Sequence, residues 1–134
     1  MTMNAMTKIL TAGVVGLILT SSGADAARAD YAVTVIENPT PDPVIYNYRW
    51  GDYGPWQTMV LQPYSSMSHW YVMDNFSPVP YLNVSFDFDR ASLSPNTVRN
   101  YSLSSYRSFN TTTGKVYQFS AYAGGNLLDL VAVN

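Results

Sequence analysis

The sequence predicts an all-β protein, a single antiparallel β-sandwich of about eight short strands. Three observations carry that expectation. Apolar and polar residues alternate with a period of two through most of the chain after residue 30. Breaks rich in Pro and Gly recur between the alternating runs. No stretch after residue 30 repeats its apolar residues at helical spacing. A small closed β-barrel alternates inward and outward in the same way and stands as the alternative.

Residues 1–26 precede this pattern and read as a secretory signal peptide that is cleaved. Lys8 supplies the basic start, Ile9 to Leu19 the apolar run, and Ala24-Asp25-Ala26 the small-x-small cleavage pattern. A membrane-spanning helix needs about 20 apolar residues, roughly twice this run. The expected mature domain is 27–134, secreted to the periplasm or the extracellular space, with no transmembrane segment after cleavage. The chain contains no Cys, so no disulfide supports the core.

Tyr31 to Ile36 is β-branched and alternating, and it opens the domain as a strand. Three prolines between Pro39 and Pro43 then force a loop. Val44 to Trp50 is the second strand, with Val44, Tyr46, Tyr48 and Trp50 on one face and Ile45, Asn47 and Arg49 on the other. Gly51 to Pro55 is a turn, and Trp56 to Gln62 returns as the other half of a hairpin. In that strand Met59 and Leu61 read as core, and Trp56 and Thr58 as the opposite face. Ser68 to Met73 is the fourth strand.

The cleanest alternation follows at Tyr81 to Asp87, where Leu82, Val84, Phe86 and Phe88 face inward because the opposite side carries Asp87 and Asp89. After a loop holding Pro95 and Asn96, Arg99 to Ser105 is a weaker strand with Tyr101 and Leu103 inward. Tyr106 to Thr113 reads as a polar connection. Lys115 to Tyr122 is a strong strand, with Tyr117, Phe119 and Ala121 on one side. The turn Ala123-Gly124-Gly125-Asn126 leads into the last strand, Leu127 to Val133.

Removing Lys8 and Asp25 with the leader leaves six basic and eight acidic residues, scattered without runs. That argues against nucleic acid and against an anionic membrane surface, both of which select basic stripes or clusters. All eleven Tyr, three Trp and five Phe lie after residue 30. The expected surface is polar, little charged and rich in rings.

Catalytic patterns are sparse. His69 is the single histidine, and no Gly-x-Ser-x-Gly elbow accompanies it. Ser66 and Ser68 lie near it in sequence, but neighbours on a strand alternate faces, so His69 reads as a partly buried strand residue with a local hydrogen bond. One His without Cys cannot build a zinc site within one chain. Asp87 and Asp89, about 6–7 Å apart on one strand face, lack the opposed placement that paired catalytic carboxyls need. They are weak Ca²⁺ candidates, together with loop carbonyls or Asp129; a solvated face is the plainer reading. No cofactor is expected. Four Asn-x-Ser/Thr sequons, at Asn75, Asn83, Asn100 and Asn110, matter only in a host that glycosylates them.

The aromatic set carries the sharpest expectation. Trp50, Tyr53 and Trp56 gather around the Gly51–Pro55 turn beside Asp52, and Trp70 on the next strand could extend them. Exposed rings of this kind stack on sugars or anchor a protein partner; packing within the sheets is the competing role. The sequence therefore points first to a non-catalytic module that binds an extracellular glycan, and second to a structural or protein-interaction subunit of a surface assembly. An enzyme comes third.

Overall fold

The computed structural model describes residues 30–74, 77–91 and 97–133. The residues expected to form a leader and its cleavage site, Asn75 of the first sequon, and the Pro95-Asn96 loop centre lie outside the described residues. Among the described residues the strands are β1 (Tyr31–Asn38), β2 (Val44–Trp50), β3 (Gln57–Leu61), β4 (Ser65–Val72), β5 (Leu82–Asp87), β6 (Val98–Leu103), β7 (Tyr106–Ser108), β8 (Lys115–Tyr122) and β9 (Leu127–Ala132). They form two facing sheets. One runs β4-β1-β8-β9, with β7 also paired to β1; the other runs β3-β2-β5-β6. The sheets keep free edges and do not close on each other, so the fold is a β-sandwich and the barrel alternative falls.

The count is nine strands, one more than the alternation predicts. The addition is β7, inside the stretch expected to be a polar connection. Tyr106, Arg107 and Ser108 have no strand pattern of their own, but the free edge of β1 at Tyr31, Ala32 and Val33 supplies their partners. The loop after β7 then turns β8 onto the rest of that edge, where Thr34 to Glu37 pair with Lys115 to Gln118 in parallel. Among the described residues this is the one parallel strand pairing; the others are antiparallel. The Asn110 side chain holds the loop by accepting the N–H groups of Thr112 and Thr113 at 3.0 and 2.8 Å. The Ser68 hydroxyl ties it to β4 by donating to the Thr111 carbonyl at 2.6 Å.

The core lies between the sheets. Tyr46, Leu82, Val84, Phe86 and Leu103 meet Ile36, Phe119, Leu128 and Leu130, all buried. Phe86 packs edge-on against Phe119 at 5.2 Å between ring centroids. Near the sequence breaks, polar side chains take over from apolar packing. Buried Asn38 turns its amide nitrogen to the carbonyls of Asp42, Leu61 and Gln62 and accepts from Thr40, which pins the proline loop to the end of β3. Such satisfied contacts are what allow a polar group to be buried without a large penalty.

Each long edge of the sandwich is fastened differently. On one side β3 passes to β4 through a tight turn in which Tyr64 adopts a φ of 57°. On the other, Arg99 of β6 reaches across to Asp129 of β9 at 3.2 Å, and the Tyr101 hydroxyl donates to the same carboxylate at 2.5 Å. Burial pushes the Asp129 carboxyl up, but the hydrogen bonds from Tyr101, the Leu130 N–H and Arg99 outweigh it and hold the group below its ordinary range. Arg107 pairs with Asp30 and so fixes the chain just before β1.

Candidate binding face

The pleat and the register decide what the outer face of the β3-β2-β5-β6 sheet presents. Residues paired across strands share a face. Arg49 lies opposite Asn83, and Asn83 opposite Ser102. One step along, Thr58 faces Asn47, Asn47 faces Ser85, and Ser85 faces Asn100. Trp56, just before β3, adds its ring beside Arg49. The result is two rows of amide and hydroxyl side chains across the sheet, one ending on an indole.

The first row and Asn100 of the second line a shallow, open depression of about 240 Å³, with Arg49, Asp52, Trp56, Asn83, Asn100 and Ser102 around Val84 and Tyr101. Its groups are held in place. The Ser102 hydroxyl donates to Asn83 Oδ1 at 2.6 Å, and Asn83 Nδ2 donates to the Gly51 carbonyl at 2.6 Å. Beyond the depression, in the second row, the Thr58 hydroxyl donates to Asn47 Oδ1 at 2.7 Å. The Arg49 guanidinium carbon stands 4.7 Å from the centre of the Trp56 ring, within cation–π range. Trp56 is nevertheless 48% exposed. A volume this small suits contact with one or two rings of a longer ligand rather than enclosure of a small molecule.

The sequence-derived candidates divide among three locations. Trp56 and Asp52 line the depression. Tyr53, 98% exposed, stands at the tip of the turn beside it. Trp50 does not join them: it packs inward against the core and meets Tyr71 of the facing sheet at 5.8 Å. Its neighbours along β2 alternate, so Arg49 rather than Trp50 shares the outer face. Trp70 cannot extend the platform, because it lies on the outer face of the opposite sheet, edge-on to Tyr31 at 5.6 Å. There it belongs to a second aromatic area with Tyr31 and exposed Tyr106, both on the same side of β1 and its partners.

Asp87 and Asp89 are not a pair on one strand face. β5 ends at Asp87, and the chain then crosses toward β9, where the Leu128 N–H donates to the Phe88 carbonyl at 2.9 Å and the Arg90 N–H to the Asn126 carbonyl at 2.7 Å. The Asp87 carboxylate accepts from the Asp89 N–H at 3.0 Å and the Thr97 hydroxyl at 2.6 Å, and Asp89 accepts from the Ala91 N–H at 3.1 Å. Both carboxylates hold local turns, and Asp129, on the β9 strand that Asp89 bridges, is engaged with Arg99 and Tyr101. Among the described residues no group of three or more His, Cys, Asp or Glu is placed to hold a metal ion.

His69 is buried, 5% exposed, and its hydrogen bond is not local. Its Nε2 shares a 2.7 Å hydrogen bond with the Tyr46 hydroxyl of the facing sheet, and the Tyr48 ring lies 4.2 Å away, centre to centre. Burial lowers its pKa to about 3 and raises that of Tyr46 well above the usual phenol range, with a smaller contribution from Tyr48. At neutral pH the pair is uncharged. It stands apart from the depression, whose one carboxylate is Asp52; the second carboxyl that glycoside hydrolysis uses is not among the lining residues.

Arg49, Asn83, Asn100 and Ser102 were not singled out as ligand residues by the sequence. Strand alternation places Arg49 outward, but the partners that face it come from strands more than thirty residues away, and only the register brings them together. Compared with protein-family models, with curated proteins and with solved structures, the chain matches none. The functional reading therefore rests on the geometry of the face itself.

Proposed function

We propose that the chain is a secreted, non-catalytic binding module whose ligand is a glycan laid across the outer face of the β3-β2-β5-β6 sheet. The observation that carries this reading is the depression itself: an indole half open to solvent, set in rows of fixed amide and hydroxyl side chains. Sugars present apolar ring faces edged by hydroxyls. An exposed ring takes the first, and Asn, Ser and Asp side chains take the second. The leader supports secretion to where such glycans occur.

Binding measured on a glycan array, followed by titration of the strongest hit, tests the reading. Trp56→Ala should weaken that binding about tenfold or more while the protein still melts cooperatively, since buried-on-binding Trp residues dominate such contacts. Tyr53→Ala should weaken it less and leave the melting temperature unchanged, because the side chain touches little. Binding that survives Trp56→Ala undiminished places the ligand elsewhere.

The second reading is a subunit of a surface assembly. It is favoured by the aromatic area around Trp70, Tyr31 and Tyr106 on the other sheet. Protein contacts prefer such rings. Sedimentation that shows self-association, lost on Trp70→Ser, would favour it.

A further inference from the structure

We propose that Arg49 makes this face selective for acidic glycans, seating a sugar carboxylate in a bidentate pair with its guanidinium. The inference rests on the glycan reading above and names the class of sugar. Its starting point is a contrast among the arginines. Arg90 is paired with Asp42, Arg99 with Asp129 and Arg107 with Asp30. Arg49 is the one described arginine with no carboxylate partner among the described residues; its Nε is buried without a hydrogen-bond partner, as is Nη1 of the paired Arg90.

What sets Arg49 apart is its charge, which no carboxylate among the described residues meets. A guanidinium carries five donors and no acceptor, and burying one of them unmade costs free energy. Here the guanidinium carbon lies 4.7 Å from the centre of the Trp56 ring, at the wall of an open depression. That cation–π contact offsets part of the cost and restrains the side chain. A planar, preorganised fork matches the two oxygens of a carboxylate better than it matches hydroxyls or a tetrahedral anion. Asp52 stands on the same depression. It repels an anion at its own end and accepts from sugar hydroxyls there. The acid group is thus directed to Arg49, and the neutral part of the sugar to Asp52, Asn100 and Ser102.

The test compares three probes on the purified protein at low ionic strength: a galacturonate oligomer, the same oligomer with its carboxyls reduced to alcohols, and a sulfated galactan oligomer of equal length. The galacturonate should bind about tenfold more tightly than the reduced oligomer, the worth of one good charge-assisted pair. Arg49→Gln should erase that difference by weakening galacturonate alone, and Arg49→Lys, which restores charge without the fork, should recover only part of it. The melting temperature and tryptophan fluorescence of both variants show whether the Trp56 contact and the fold persist. Equal binding of the galacturonate and reduced oligomers overturns the acidic selectivity and leaves the glycan reading standing. Tighter binding of the sulfated oligomer overturns the carboxylate assignment. Failure of all three to bind, with no other array hit, overturns both readings.

Discussion

His69 and Tyr46 form a neutral hydrogen-bonded pair at the centre of the sandwich, joining β4 to β2 across the core. Burial holds the imidazole pKa at about 3, far below the value of about 6.5 it regains on unfolding. The unfolded chain therefore binds a proton that the folded chain refuses between those two values. Stability from this group is complete above about pH 6.5 and is lost as pH falls toward 3, at up to roughly 1.4 kcal/mol per pH unit. Asp129 also loses stability in acid, but only below its ordinary carboxyl value of 3.8. The window between about pH 6.5 and 4.5 thus belongs to His69. Urea unfolding across that window should show a steady loss in the wild type. His69→Gln, which can still bond the Tyr46 hydroxyl and does not titrate, should give a flatter profile. Identical profiles would show that His69 is open to water. Tyr46 acts in the opposite direction: its raised pKa means stability falls as pH rises above about 10, where the unfolded phenol ionises first.

At the scale of elements, two glycines separate crowding from backbone conformation. Gly114 enters β8 so close to β1 that a Cβ there would lie 2.4 Å from the Val33 carbonyl oxygen, part of the central strand's backbone. Gly114→Ala should cost about 3 kcal/mol through overpacking. Gly124 has open space around it and a φ of +71° in the β8–β9 turn, so Gly124→Ala should cost only about 1 kcal/mol, from left-handed strain. Denaturant unfolding of both variants checks this; equal losses would mean the β1–β8 contact is looser than described. The same elements show what local sequence can express. Alternation located β2, β5 and β8, and in β5 it also fixed the inward residues, because Phe86 sits between Ser85 and Asp87, which must face out; in β2, Tyr46 lies between Ile45 and Asn47, and alternation alone divided the faces without saying which is inward. The short β7 has no such pattern; it exists because β1 offers an open edge. The parallel β1–β8 pairing is equally non-local. Alternation put Trp56 on the face opposite Met59 and Leu61, but the sequence grouped Trp50 with it around the turn, and only the packing of Trp50 against the core and Tyr71 separates them. Nor was the company Trp56 keeps legible, since Asn83 and Asn100 reach it only through the register of β2 with β5 and of β5 with β6.

For the whole molecule, the three tryptophans mark three different places. Trp50 belongs to the core between the sheets, Trp56 to the outer face of the β3-β2-β5-β6 sheet, and Trp70 to the outer face of the other sheet. The fold therefore presents two faces of distinct chemistry. One carries amides, hydroxyls, a guanidinium, a single indole and the exposed Ile45–Val60 pair. The other carries Trp70, Tyr31 and Tyr106, and its ring-rich area suits a protein surface better than a sugar. The central claim is that the first face binds a glycan, and the indole N–H resonances of the three tryptophans test it in one experiment. Titrating the ¹⁵N-labelled protein with its strongest-binding glycan should move the Trp56 indole signal progressively and leave those of Trp50 and Trp70 in place. Movement of the Trp70 signal with Trp56 unmoved would contradict the account and transfer the site to the opposite sheet.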